Sequence, residues 1–194
     1  MKKLTVFLAM MLAVVMICSA NSTFFALTTI TVDGYTYTET MLQTGTLMGW
    51  DNSSDTLSVP EKVGYIYITA IGDHSFNGDD FIKHLDLSNA NRMYHLGEYA
   101  FANSVLEGEL VVPTRVIYIG ISAFENCDGL TAVSYSSDGG KVSPQCFMGC
   151  DNLAAVTLSS SITEIQQYAF ANCPFLTEIT IPASVTTIDE TAIS

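Results

Sequence analysis

Basic residues are scarce in this 194-residue chain. Seven Lys and Arg stand against twenty Asp and Glu, a formal net charge of −13. That imbalance repels phosphate backbones and anionic headgroups, so no nucleic-acid partner and no docking on an anionic lipid surface is expected. Histidine is as rare: His74, His84 and His95 are the only three, and no Ser or Cys is marked as a nucleophile beside them. Catalysis needs groups that converge within hydrogen-bond range, so the chain is not read as an enzyme. The five cysteines include no Cys-x-x-Cys pair. Without that spacing or a matching histidine, no metal site and no cofactor is implied. Gly139-Gly140-Lys141 lacks the longer loop and the Ser or Thr of a phosphate cradle. After the first residues, no apolar run is long enough to leave a stable membrane span.

The first residues read as a secretory signal peptide over 1–20. Lys2 and Lys3 precede the apolar run Leu4 to Ile17, and Cys18, Ser19 and Ala20 offer small residues for cleavage. A lipid anchor on Cys18 is the rival reading, and Ile17 before it fits that poorly. Cleavage after Ala20 removes two basic residues and no acidic ones, moving the net charge to −15. An oxidising exterior then permits disulfides among the remaining cysteines. The triplets Asn21-Ser22-Thr23 and Asn52-Ser53-Ser54 fit N-glycosylation, which matters only where the host has that machinery.

What the chain has in abundance is periodicity. The phrases IGDHSF, LGEYAF, IGISAF, VSPQCF, IQQYAF and IDETAI end on Phe76, Phe101, Phe124, Phe147, Phe170 and Ile193, spaced by 25 and then four times by 23 residues. A solenoid repeats this way because every turn buries the same positions against its neighbours. Short alternating runs, such as Leu110/Val112, Val133/Tyr135, Val156/Leu158 and Ile179/Ile181, predict strands with one buried face. Pro60, Pro113 and Pro182 lack an amide donor and end their strands. A second extended segment follows, marked by Val116/Ile119, Ile162/Ile165 and Val185/Ile188. The Ala-Phe phrase after it predicts a short helical or 3-10 turn. Cys127, Cys150 and Cys173 recur at 23 residues and read as a buried ladder of weakly polar side chains. Reduced, shielded thiols are expected, because one packing role explains all three.

The segments LTEITIPASVTTIDETAI, IGISAFENCDGL and IQQYAFANCPFL resemble the BspA-like leucine-rich repeat of many microbial surface proteins, over about residues 57–194. The resemblance implies that Phe76, Phe101, Phe124, Phe147, Phe170, Cys127, Cys150 and Cys173 are structural core. It also implies an exported repeat protein; some relatives look like adhesins or host-protein binders. The expected fold is α/β: a β-rich solenoid with a parallel strand ladder and short helical or 3-10 turns. Two departures stand out. Val142-Ser143-Pro144-Gln145-Cys146 replaces the usual Ala-Phe approach and predicts distortion around Asp138-Gly139-Gly140, and two extra residues between Ser88 and Tyr94 predict a bulge.

Residues 21–56 do not repeat and read as an N-terminal cap. Ile30-Thr31-Val32, Asp33-Gly34 and Tyr35-Thr36-Tyr37 predict a hairpin. The solenoid then occupies 57–194, with an incomplete last repeat. Its C-terminal edge invites further repeats or a neighbouring subunit. The candidate binding face comprises outward strand positions: His84, Asp86, Glu109, Val111, Ser134, Thr157, Glu178 and Thr180, with Ala132 and Ala155 between them. A broad polar face suits an extracellular protein or glycan better than a small molecule, which needs a deep pocket. A second row holds Tyr94, Ile117, Tyr118, Thr163, Glu164, Thr186 and Thr187. The reading is a secreted or cell-surface adhesion module. The alternative is a structural spacer of a surface assembly without a dedicated ligand.

Overall fold

A computed structural model describes residues 29–39 and 43–194. The signal-like segment 1–20, with Cys18, lies outside the described residues. The first described elements, β1 (Thr29–Val32) and β2 (Tyr35–Glu39), form an antiparallel hairpin. Both residues of its Asp33-Gly34 turn are left-handed, with φ of 50° and 87°. That conformation matches the turn to the twist of its strands. Next come β3 (Thr44–Trp50), β4 (Thr56–Ser58), β5 (Lys62–Val63) and β6 (Ile66–Ile71). β3 runs antiparallel to β2 and parallel to β6, and so joins the cap to the coils. Trp50 ends β3 with its ring 4.5 Å from that of Tyr35, and its indole N–H donates to the Ser54 carbonyl at 3.3 Å. It packs in the cap rather than protruding.

Each later coil carries a longer and a shorter strand. The longer ones are β7 (His84–Asp86), β9 (Glu107–Val112), β11 (Gly129–Tyr135), β13 (Ala155–Leu158) and β15 (Glu178–Thr180). The shorter ones are β8 (His95–Leu96), β10 (Tyr118–Ile119), β12 (Lys141–Val142), β14 (Glu164–Ile165) and β16 (Thr187–Ile188). β9, β11, β13 and β15 form one parallel sheet, and β4 pairs separately with β7. On the other side of the coil, β6, β8 and β10 continue the cap sheet, while β12, β14 and β16 form their own. The break between β10 and β12 falls at the glycine pair. Gly140 has φ of 76°, and a Cβ on Gly139 would collide with the Ile117 carbonyl. The two-residue insertion is a loop held from the next coil: Arg115 donates to the carbonyls of Leu87, Ser88 and Ala90 at 2.9–3.0 Å.

The core is a stack. Phe76, Phe101, Phe124, Phe147 and Phe170 are buried, with successive ring centroids 5.0, 5.7, 5.4 and 5.6 Å apart and planes within 9° of parallel. Ile193, the sixth anchor in the sequence pattern, is instead 47% exposed.

The helical or 3-10 turns do not occur: among the described residues there is no helix, and the solenoid is all β. The cause is backbone handedness. The first five coils each place two left-handed residues four apart, at His74/Gly78, Tyr99/Asn103, Ser122/Asn126, Gln145/Gly149 and Tyr168/Asn172. A right-handed helix cannot pass through them. The freed amides bond between coils. His74, Phe76 and Gly78 donate to the carbonyls of Glu98, Ala100 and Ala102 at 2.7–2.9 Å. Ser75, Asn77 and Asp79 bond locally, to Gly72, His74 and Phe76.

Candidate recognition face

Strand alternation puts Leu110, Val133, Val156 and Ile179 inward, and their neighbours outward. The register then sorts the outward residues into two rows. Glu109, Ala132, Ala155 and Glu178 are successive Cα partners across the sheet, as are Val111, Ser134, Thr157 and Thr180. Glu109, Val111, Thr157, Glu178 and Thr180 are exposed, and Ala132, Ser134 and Ala155 are partly so. The Ser134 hydroxyl donates to the Glu109 carboxylate at 2.8 Å. The face therefore carries acids at both ends of one row, with an aliphatic residue heading the other and hydroxyls following it.

His84 and Asp86 do not join these rows. They lie on β7, which pairs with β4 (Thr56↔His84, Ser58↔Asp86). One backbone bond, from the Glu107 amide to the Lys83 carbonyl at 2.8 Å, bridges β7 to β9. Asp86 is engaged locally. Hydrogen bonds from the Ser88 side chain and amide, and from the Ser58 hydroxyl, hold its carboxyl below the ordinary carboxylate value. At this border Glu107 lies 3.6 Å from the Lys83 amine and 3.8 Å from the His84 ring nitrogen. Lys83 and Glu107 were missed by the sequence reading, although Glu107 sits two positions before Glu109 on one strand face.

The cysteines lie elsewhere, in the body of the coil. Cys127, Cys146 and Cys150 are buried and Cys173 is half-buried, all as free thiols. Each ladder thiol donates to a phenylalanine carbonyl of the preceding coil: Cys127 to Phe101, Cys150 to Phe124 and Cys173 to Phe147, at 3.1–3.2 Å. Burial pushes Cys127 up to about 11 and raises Cys146, Cys150 and Cys173 as well. Thiols held protonated are poor nucleophiles and poor metal ligands. Among the described residues, no cluster of three His, Cys, Asp or Glu is placed to hold a metal ion.

These features define a parallel β-solenoid of the leucine-rich-repeat class. The model of the BspA type leucine rich repeat region matches residues 68–194 in six copies, and the chain belongs to that family. A search of curated proteins returns no match. Among solved structures, a leucine rich cell surface protein from Faecalibacterium prausnitzii is 23% identical, with a TM-score of 0.54 over 89% of this chain and 52% of that one. A leucine-rich repeat protein from Eubacterium ventriosum is 18% identical, with a TM-score of 0.71 over 86% of this chain and 49% of that one. The pneumococcal vaccine antigen PcpA is 17% identical, with a TM-score of 0.54 over 81% and 51%. At such identities the likeness is one of fold. The chain spans about half the length of these three structures.

Proposed function

We propose that this chain is an exported surface recognition module whose four-stranded face adheres to an extracellular protein or glycan. The observation that carries the reading is the aligned pair of outward rows, Glu109–Ala132–Ala155–Glu178 and Val111–Ser134–Thr157–Thr180. They offer a partner a continuous surface of hydroxyl, carboxylate and aliphatic groups. The signal-like first residues and the solved relative described as a cell surface protein support an exterior location. The scarcity of basic residues suits a soluble exterior surface.

A spacer of a surface assembly, with no dedicated ligand, is the second reading. The coil-to-coil bonding of the phenylalanine turns favours it, since that alone makes a rod. A binding screen of residues 21–194 against extracellular matrix proteins and a glycan array separates the two. Recognition predicts a reproducible binder whose binding is lost on combining Glu109→Gln, Thr157→Ala and Glu178→Gln. Binding that survives this combination contradicts the proposed face.

A further inference from the structure

On the side of the coil that carries the shorter strands, one rung differs from the rest. The amide after each short strand donates to the last carbonyl of the short strand one coil earlier. Gly97 bonds Ile71, Gly120 bonds Leu96, Gln166 bonds Val142 and Asp189 bonds Ile165, at 2.8–3.1 Å. Amides within the strands add a second bond: Tyr118 to Tyr94, Glu164 to Gly140 and Thr187 to Thr163, at 3.0–3.2 Å. Between β10 and β12 both bonds are missing. Lys141 and Ser143 hold the equivalent places, and their amides do not donate to Ile117 or Ile119. The Ser143 hydroxyl donates to the Ile119 carbonyl instead.

The rest of the same junction is bonded. β9 and β11 pair from Glu107↔Gly129 to Val112↔Tyr135, and Ser136 and Asp138 continue to the carbonyls of Val112 and Thr114 at 2.9 and 3.0 Å. In the phenylalanine turn, Ser122, Phe124 and Asn126 donate to Pro144, Cys146 and Met148 at 2.8–3.0 Å. Bonded flanks around one unbonded stretch make an axis and a seam. The axis is irregular, since the register of β9 and β11 shifts between Leu130 and Ala132, and strands bend at such bulges. Inside the seam stands Tyr135, a buried ring whose Cα partners are the aliphatic Val112 and Leu158. Its hydroxyl donates to the Lys141 carbonyl at 3.2 Å. Burial above all, and then the nearby Cys146 thiol, raises that hydroxyl well above its ordinary value. Cys146 is thus the buried thiol beside the seam. Cys127 and Cys150, equally buried, bond instead to phenylalanine carbonyls of the turn.

We infer that the seam between β10 and β12 is a hinge, latched by the Ser143 hydroxyl, whose opening bends the four-stranded face at β9 and β11. A hinge needs a few residues that change conformation while packed blocks on either side stay intact. It stands whatever that face binds. The native cysteines report it. The full chain is treated with excess thiol reagent at rising, subdenaturing urea. Mass spectrometry follows each cysteine, with rates normalised to the unfolded chain. Local opening exposes little surface, so Cys146 is expected to label at a rate nearly independent of urea, at least about tenfold faster than Cys127 and Cys150. Those two should follow the urea slope of global unfolding. Ser143→Ala is expected to speed Cys146 labelling about threefold to tenfold, the worth of one hydrogen bond. A cooperative unfolding transition in that variant confirms that it folds, and the unsubstituted chain decides the hinge on its own. One common rate and one common urea slope for Cys127, Cys146 and Cys150 overturns the hinge. A Cys146 rate unchanged in folded Ser143→Ala overturns the latch.

Discussion

At the scale of the residue, Phe124 and Cys127 show how one coil leans on the next. Phe124 is fully buried, with its ring 5.7 Å from Phe101 and 5.4 Å from Phe147. Phe124→Ala should cost about 3–5 kcal/mol by chemical denaturation, and a loss below about 1 kcal/mol would place the ring outside a well-packed core. Burial of the Cys127 thiol links stability to pH. Its thiol is raised from 9.0 to about 11, so the folded chain keeps its proton where the unfolded chain has lost it. The stabilisation is full below about pH 9 and is lost as pH rises towards 11. Equilibrium unfolding between about pH 8 and 11 should therefore show falling stability, with a shallower fall in Cys127→Ala. An identical slope in that variant would contradict the burial. These positions were legible because a fixed interval repeats them. The hydrogen bond from each thiol to a phenylalanine carbonyl was not, since spacing says nothing about which way a side chain turns.

At the scale of the element, what the sequence concealed is handedness. Asn103, Asn126 and Asn172 are residues that tolerate positive φ, but Tyr99, Ser122, Gln145 and Tyr168 carry no such signal, and they too are left-handed. The turn therefore resembled a helix in sequence and is a ladder in space. β3 was hidden for a related reason: Gly45 and Gly49 interrupt its pattern, and β propensity is low where glycine replaces a packed side chain. The bulge was visible as two extra residues, whereas its clamp was not. Arg115 donates three hydrogen bonds into that loop. Arg115→Ala should destabilise the chain by about 1.5–3 kcal/mol, read from the denaturation midpoint. No change would mean that the loop holds its shape unaided.

At the scale of the whole molecule, repetition makes a surface out of short strands. The rows of the four-stranded face were readable from period-two alternation, which assigns each strand residue to one side. The separation of His84 and Asp86 from those rows was not readable, because it depends on where hydrogen bonding between β7 and β9 lapses. Local bonding of the Asp86 carboxylate to Ser58 and Ser88 compounds it. The same acidic face should bind its partner more weakly as salt rises if Glu109 and Glu178 meet basic groups. Affinity measured from low to high ionic strength checks this, and a flat profile would remove the carboxylates from the energetics.

The proposed recognition face is tested most directly by carboxyl footprinting of the chain, free and saturated with its strongest binder from the screen. Carbodiimide coupling reads each exposed carboxylate separately. The account predicts that the binder slows labelling of Glu109 and Glu178, which end one row of the face, while Asp73 and Glu190 label as in the free chain. Full-rate labelling of Glu109 and Glu178 in the saturated complex, with protection elsewhere, would contradict it.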